Sequence, residues 1–127
     1  MKNRIWLLVL PLAFLLNSCG GSTPKYRVTT LPSGKQVKVL GVGNISFSKG
    51  EPALMLKYQT DLSIDDKDAI AREVTEIWGS FRADAEKGQF KNAIISVNEI
   101  PKGGFIKTNR TQNFVYQKSS DGNWQLL

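Results

Sequence analysis

Residues 63–88 read SIDDKDAIAREVTEIWGSFRADAEKG and contain the strongest structural signal in the chain. Apolar side chains recur there at intervals of three and four residues, at Ile70, Val74, Ile77, Trp78, Phe81 and Ala85. This spacing places them along one stripe of an α-helix. The opposite side is expected to carry Lys67, Glu73, Glu76 and Glu86. The segment therefore predicts one amphipathic helix that buries its apolar stripe against the rest of the protein.

Signals at both ends limit this helix. Ser63 followed by Asp66 is close to a capping box, which satisfies the first free backbone N–H groups. Asp65 with Asp68 offers the same cap two residues later, and acidic groups suit the positive end of the helix dipole. Gly88 is typical of a helix C-terminus. We therefore expect the helix to start after Ser63 or Asp65 and to end at Gly88.

Three segments before the helix alternate apolar and polar residues, as half-buried strands do. They cover residues 26–30, 35–47 and 53–60. Turn-forming residues separate them, so they form an antiparallel meander in which each strand pairs with the next. Gly41 and Gly43 interrupt the second segment and predict a bend or a bulge there.

Three more strands are expected after the helix, over residues 93–100, 111–118 and 124–127. Asp121 and Gly122 form the tight link between the last two. The predicted fold class is α+β, an antiparallel β-sheet in the order β-β-β-α-β-β-β with the helix packed across one face. With 127 residues, 41% of them hydrophobic and 22% charged, the chain has the size and composition of one globular domain, which we place at residues 25–127.

The N-terminus has a different composition. Lys2 and Arg4 precede an uncharged run at residues 5–16, IWLLVLPLAFLL, and Cys19 follows shortly after. A membrane-spanning helix needs about 20 apolar residues, so this run is too short to be one. A basic start, a short apolar region and small residues before a cleavage point are typical of a secretory signal peptide. We therefore predict a signal peptide at residues 1–18.

Leu16-Asn17-Ser18-Cys19 resembles the lipobox of bacterial lipoproteins, in which an aliphatic residue, a tolerant position and a small residue precede the lipidated cysteine. The resemblance implies cleavage before Cys19 and attachment of diacylglycerol to its thiol, with fatty acids such as palmitate. Because each buried methylene contributes about 0.8 kcal/mol, two or three acyl chains anchor a protein stably. The mature domain is similar to small bacterial lipoproteins of unassigned function.

The residues after Cys19 indicate where the domain is held. In lipoproteins of two-membrane bacteria, an Asp after the lipidated cysteine favours the inner membrane. Because Gly20 stands there, the resemblance implies the outer membrane, with the domain facing the periplasm of the bacterial cell envelope. In a bacterium with a single membrane the anchor would lie on its outer face. Residues 19–24 read CGGSTP and predict a short lipidated tether. The membrane is therefore the first predicted partner, reached through the lipid anchor.

Residue counts exclude several kinds of chemistry. The chain has no His and one Cys, which excludes Ser-His-Asp and Cys-His catalytic sites and a Cys/His zinc site within one chain. Acidic residues at positions 61, 65, 66 and 68 cluster near the start of the helix, but they lack the glycine turn of a calcium loop and are interpreted as helix caps. We therefore expect no catalytic residue, no metal and no cofactor.

The charge of the chain is unevenly distributed. The net charge is +6, and residues 20–60 carry six basic side chains against one acidic. Lys35, Lys38 and Lys57 are the candidate basic surface within this region. One interpretation is an ordinary solvated sheet, which we favour; the other is a surface for anionic lipid or an acidic partner. Nucleic acid does not fit an envelope location.

Three functions follow from these observations. The favoured one is a membrane-anchored, non-enzymatic binding or structural module with an envelope protein as partner. The second is an immunity or exclusion factor that binds one envelope protein. The third is an envelope enzyme that depends on carboxylates, because no histidine is present to act as the base.

Overall fold

The computed structural model describes residues 26–103 and 109–127 as one six-stranded sheet and one helix. The elements are β1 (Arg27–Thr30), β2 (Gln36–Ile45), β3 (Ala53–Thr60), α1 (Lys67–Lys87), β4 (Asn92–Glu99), β5 (Thr111–Lys118) and β6 (Trp124–Leu126). The fold is therefore mixed α+β, as predicted. The predicted signal peptide, the tether and Cys19 lie outside the described residues. No helix in the described ranges is long and apolar enough to span a bilayer.

One pairing in the sheet shows that the prediction of a wholly antiparallel arrangement is wrong. The strands are ordered β1 to β6 as in the sequence, but β3 and β4 run parallel, with Ala53 opposite Asn92 and Thr60 opposite Glu99. A parallel pair needs a crossover connection, and α1 provides it. Period-two alternation identifies a strand without giving its direction. The intervening helix, which returns the chain to the starting end of the sheet, was the signal for a parallel pair.

One face of the sheet contributes to the hydrophobic core. Alternate residues of a strand point to opposite faces, and paired residues on neighbouring strands point to the same face. Leu56 and Tyr58 of β3 pair with Ile95 and Val97 of β4, and all four are buried. They form one cluster with the buried helix residues Ile70, Val74, Ile77, Phe81 and Ala85. Lys57, between two buried neighbours on β3, therefore points to the other face and is exposed.

The N-terminal cap of α1 differs from the prediction. Asp66 is the cap, and its carboxylate accepts a hydrogen bond from the backbone N–H of Ala69 at 3.4 Å. Ser63 lies too early because residues 63–66 form a turn in which the N–H of Asp66 donates to the carbonyl of Ser63 at 3.0 Å. The Ser63 hydroxyl instead accepts from the N–H of Asp65. The predicted caps at Ser63 and Asp65 are therefore wrong.

Gly88 ends the helix without adopting the left-handed backbone conformation that is common at helix C-termini. The φ angle of Gly88 is −81°, which any residue adopts, and the left-handed conformation occurs at Gln89 with φ 61°. A Cβ atom at position 88 would lie 2.6 Å from a ring carbon of Phe90. A side chain at position 88 would therefore force the Phe90 ring to move from its place beside the backbone.

Aromatic side chains connect α1 to the last two strands. The Trp78 ring stacks on Tyr116 of β5, with centroids 3.9 Å apart and ring planes 4° from parallel. Trp124 of β6 meets Trp78 edge-on at 5.2 Å. Trp78 is half-buried rather than fully buried, because it lies at the margin of the core and covers the edge formed by β5 and β6.

Replacement of Phe81 tests the core. Phe81→Ala removes a side chain that is 1% exposed. We expect the free energy of unfolding to fall by about 3–5 kcal/mol, from lost burial and the cavity left behind. Urea denaturation of a soluble fragment spanning residues 20–127 measures the change. The control is Arg72→Ala, on the exposed side of α1. Its free energy of unfolding should lie within about 0.5 kcal/mol of that of the unmodified fragment. A loss below about 1 kcal/mol for Phe81→Ala would contradict its place in the core.

Candidate functional site

Buried polar side chains collect near the carboxyl ends of β3 and β4. In sheets with parallel strands, ligands commonly bind at this end. The buried polar or charged residues on β3, β4 and α1 are Thr60, Glu73, Ser96, Asn98 and Glu99, and the ring of Tyr58 is buried as well. This polar cluster is the first candidate site, and the hydrogen-bond partners of its two carboxylates decide what it does.

Glu73 is held by two partners from the sheet side of the core. It is 3% exposed and accepts a hydrogen bond from the Tyr58 hydroxyl at 2.8 Å. It also forms a short ion pair with the ammonium of Lys35, which reaches Asp61 at 2.8 Å. Burial and then the Glu73 carboxylate raise the pKa of Tyr58, so Tyr58 stays protonated and donates. The hydrogen bond from Lys35 lowers the pKa of Asp61.

The ion pair between Lys35 and Glu73 shows that two predictions about these residues are wrong. Glu73 was expected on the solvated side of the helix, and Lys35 was expected in the basic surface. Position 73 lies three residues after Ile70 and four before Ile77, so its spacing alone places it on the buried stripe. Lys35 then turns towards Glu73 and Asp61. Burial opposes the charged form of Lys35, but these two hydrogen bonds outweigh it and raise its pKa.

Glu99 forms the second charged contact of the cluster. It accepts hydrogen bonds from the backbone N–H of Ile64 at 2.7 Å and from Arg110 at 2.8 and 3.2 Å. Arg110 also contacts Asp65 through two nitrogens at 3.0 and 3.1 Å. The Arg110 hydrogen bond, followed by that from Ile64, lowers the pKa of Glu99 to about 2. The contact fastens the loop before α1 and the residue before β5 to the end of β4.

The two carboxylates of the polar cluster have their hydrogen-bond donors within the domain. Each of its carboxylates accepts from cationic, hydroxyl or amide donors within the domain. A general acid or base must instead reach a substrate atom. Within residues 26–103 and 109–127, no group of three or more acidic or thiol side chains is arranged to hold a metal ion. The geometry therefore favours a structural role for the cluster.

The edge of the sheet at β1 and β2 is the second candidate site. β1 pairs only with Gln36–Val39, whereas β2 continues to Ile45. Gly41 follows a register shift after Val39, which confirms the predicted bulge. Beyond the bulge, β2 has no pairing strand on its β1 side among the residues described. The part of the chain that the structure describes therefore leaves the backbone groups on this side of β2 without a strand partner.

Exposed apolar side chains line this edge. Tyr26, Val28, Leu40 and Val42 are 44%, 51%, 39% and 47% exposed, and all four border the same groove. We call these four residues the edge patch. Most large apolar side chains in the described ranges are covered, which makes this group a candidate interaction surface.

Basic side chains flank the edge patch. Arg27 borders the groove, and the Lys38 ammonium lies 4.8 Å from the centre of the Tyr26 ring. Lys57 is paired with Gly41 in the sheet register. None of the three forms an ion pair within the described part of the chain. Of the predicted basic surface, Lys38 and Lys57 thus lie beside the edge patch, whereas Lys35 belongs to the polar cluster.

The different roles of Lys35 and Lys38 are testable. Lys35→Ala leaves the buried Glu73 carboxylate without its cation and should lower the free energy of unfolding by about 1–3 kcal/mol. Lys38→Ala, the matched control at an exposed position, should change it by no more than about 0.5 kcal/mol. Urea denaturation measures both. In a Glu73→Gln background the Lys35→Ala effect should largely disappear. Equal effects of the two single substitutions would contradict the assignment.

The Glu99 contact predicts a dependence of stability on pH. Its folded pKa of about 2 lies below the ordinary 4.5, so its contribution is complete above about pH 4.5 and is lost as pH falls towards 2. Glu99→Gln should lower the melting temperature at neutral pH, and the gap from the unmodified protein should close near pH 2. Glu51→Gln, at an exposed carboxylate 3.5 Å from Lys91, should show little gap at any pH. A difference in melting temperature between Glu99→Gln and the unmodified protein that stays constant from neutral pH to pH 2 would refute the prediction.

No protein family, curated protein or solved structure matches this chain. The polar cluster has its hydrogen-bonding groups directed inward, whereas the edge patch presents apolar and basic groups to the surroundings. The edge patch is accordingly the better candidate for a functional surface.

Proposed function

We propose that this chain is a bacterial cell-envelope lipoprotein whose domain is a non-enzymatic binding module. The edge patch is the observation that carries the binding role. Two of its exposed apolar side chains, Leu40 and Val42, lie on the part of β2 that extends beyond β1, and the other two lie at the start of β1. The basic groups that flank them form no ion pair among the described residues. Exposed strand edges are normally shortened, charged or covered, so an apolar one is consistent with a surface kept for contact.

The lipobox-like sequence supports the envelope location. In this proposal Cys19 carries the lipid, residues 20–24 are the tether, and the domain faces the periplasm from the outer membrane. α1 covers one face of the sheet and leaves the β1–β2 edge, which follows the tether directly, available for contact. The binding surface and the anchor thus belong to the same end of the mature chain.

The inward arrangement of the polar cluster supports a role without catalysis. Tyr58 and Lys35 complete the hydrogen bonding of Glu73, and Arg110 with the backbone of Ile64 completes that of Glu99. A substrate would have to displace these contacts to reach either carboxylate. Such displacement would leave buried charge unpaired, which is costly.

The anchor is tested by Cys19→Ser. The substitution removes the only thiol in the chain, so the protein should incorporate no labelled palmitate in growing bacteria. Gel fluorography of the immunoprecipitated protein measures the incorporation. Ser22→Ala, in the tether but outside the lipobox, is the control and should be labelled like the unmodified protein. Label retained by Cys19→Ser, or absent from the unmodified protein, would contradict the proposal.

A further inference from the structure

We infer that the edge patch docks the domain on the anionic surface of the membrane that holds its lipid anchor. This inference rests on the proposed function, because it needs the acyl chains at Cys19. It assigns the patch a specific partner, namely lipid head groups and the upper part of the acyl layer. The inference is carried by three observations: the position of the patch along the chain, its side chains and its charge.

The position of the edge patch keeps it close to the anchor. Tyr26 is seven residues after Cys19, so even a fully extended tether holds it within about 25 Å of the lipidated residue. Val28 and Arg27 follow directly in β1, and the groove continues onto β2 through Leu40 and Val42. Among the described residues, the edge patch is therefore the surface that the anchor reaches first along the chain.

The side chains of the patch suit the boundary between water and lipid. Tyr26 combines an apolar ring with a hydroxyl, and such residues favour the head-group level of a bilayer. Val28, Leu40 and Val42 provide exposed aliphatic groups beside it. Shallow burial of this kind adds to the affinity that an acyl chain already provides. At that depth the free backbone groups of β2 still meet water and head groups, so they are not left unsatisfied.

The charge around the patch favours an anionic surface. Arg27, Lys38 and Lys57 surround it without ion-pair partners in the described part of the chain. The residues that line the two adjoining grooves along β2 include no acidic side chain. Each basic residue near an anionic membrane strengthens binding about fivefold. A basic rim beside an apolar surface thus matches a membrane that contains phosphatidylglycerol.

The same charge disfavours a second copy of the chain as the occupant. If two β2 edges paired with each other, they would bring together the basic rims of both copies. Like charges placed across a strand pairing are destabilising. The bilayer has the opposite charge and is held beside the patch by the anchor, so it is the better partner.

The test uses the full, lipidated chain in vesicles. Because Cys19 is acylated, Asn44→Cys adds one reactive thiol at the exposed end of β2 while leaving the edge patch intact. A polarity-sensitive fluorophore on this thiol should shift to the blue and be quenched by nitroxide-labelled lipid in vesicles of phosphatidylcholine with phosphatidylglycerol. The effect should weaken in phosphatidylcholine alone and in high salt. The control Asp84→Cys, exposed on α1, should show neither response.

Charge reversal tests the basic rim in the same assay. Lys38→Glu combined with Lys57→Glu should lower the docking equilibrium constant at least about 25-fold, since each lost lysine contributes about fivefold. The matched control, Lys67→Glu with Arg72→Glu, makes the same charge change on the exposed side of α1 and should leave docking unchanged. Equal losses in both pairs would mean that only the net charge of the protein matters and would overturn the inference.

The remaining outcomes separate the two proposals. A fluorophore at position 44 that stays accessible to acrylamide, on protein shown to carry labelled palmitate, would overturn the docking inference and leave the lipoprotein proposal standing. Shielding from acrylamide without quenching by nitroxide lipid would show that a second copy covers the patch, which also overturns the inference. Protein without palmitate would remove the anchor and both proposals with it.

Discussion

The buried carboxylate of Glu73 is the constraint on which the arrangement of this domain depends. A charged group removed from water is tolerated only when it is paired and hydrogen-bonded. Tyr58 supplies the hydroxyl from the middle of the sheet, and Lys35 supplies the cation from the turn that leads into β2. These partners lie 15 and 38 positions away in the sequence. Satisfying Glu73 therefore fixes α1, β3 and the β1–β2 turn relative to one another.

The polar cluster also determines which charges remain outside it. Lys35 and Arg110 are engaged by Glu73, Asp61, Glu99 and Asp65, so these two cations are paired with carboxylates at and near the start of α1. Among the residues that the structure describes, Arg27, Lys38 and Lys57 beside β1 and β2 have no such partners. The folded molecule thus has an acidic side that holds Lys35 and Arg110, and a basic edge. The proposed membrane contact uses this separation.

The sequence predicts local structure well and long-range partners less well. The helix stripe from Ile70 to Ala85, the six strands and the bulge before Gly41 are all set by residue periodicity or by backbone properties of single residues, and they are confirmed. The parallel pairing of β3 and β4 was missed because alternation carries no direction.

The candidate site also depends on long-range partners, which the sequence does not predict. The charge of Glu73 suggests a solvated position, whereas its spacing from Ile70 and Ile77 matches the buried position in the structure. Lys35 and Lys38 could not be separated from sequence, because what distinguishes them is the presence of Asp61 and Glu73 within reach of one and not the other. The exposure of Leu40 and Val42 depends on β1 being shorter than β2, and strand ends are weakly encoded.

The parallel pair at the centre of the sheet has a consequence for how the chain folds. It divides the sheet into two antiparallel halves, β1–β3 and β4–β6, in which each strand pairs with its neighbour in sequence. Joining the halves brings together positions as distant as Tyr58 and Asn98, which are 40 residues apart. Closing a loop of that length costs entropy before the contacts compensate for it. The contacts within each half are therefore the more local ones, and their union across α1 carries the larger entropy cost of loop closure.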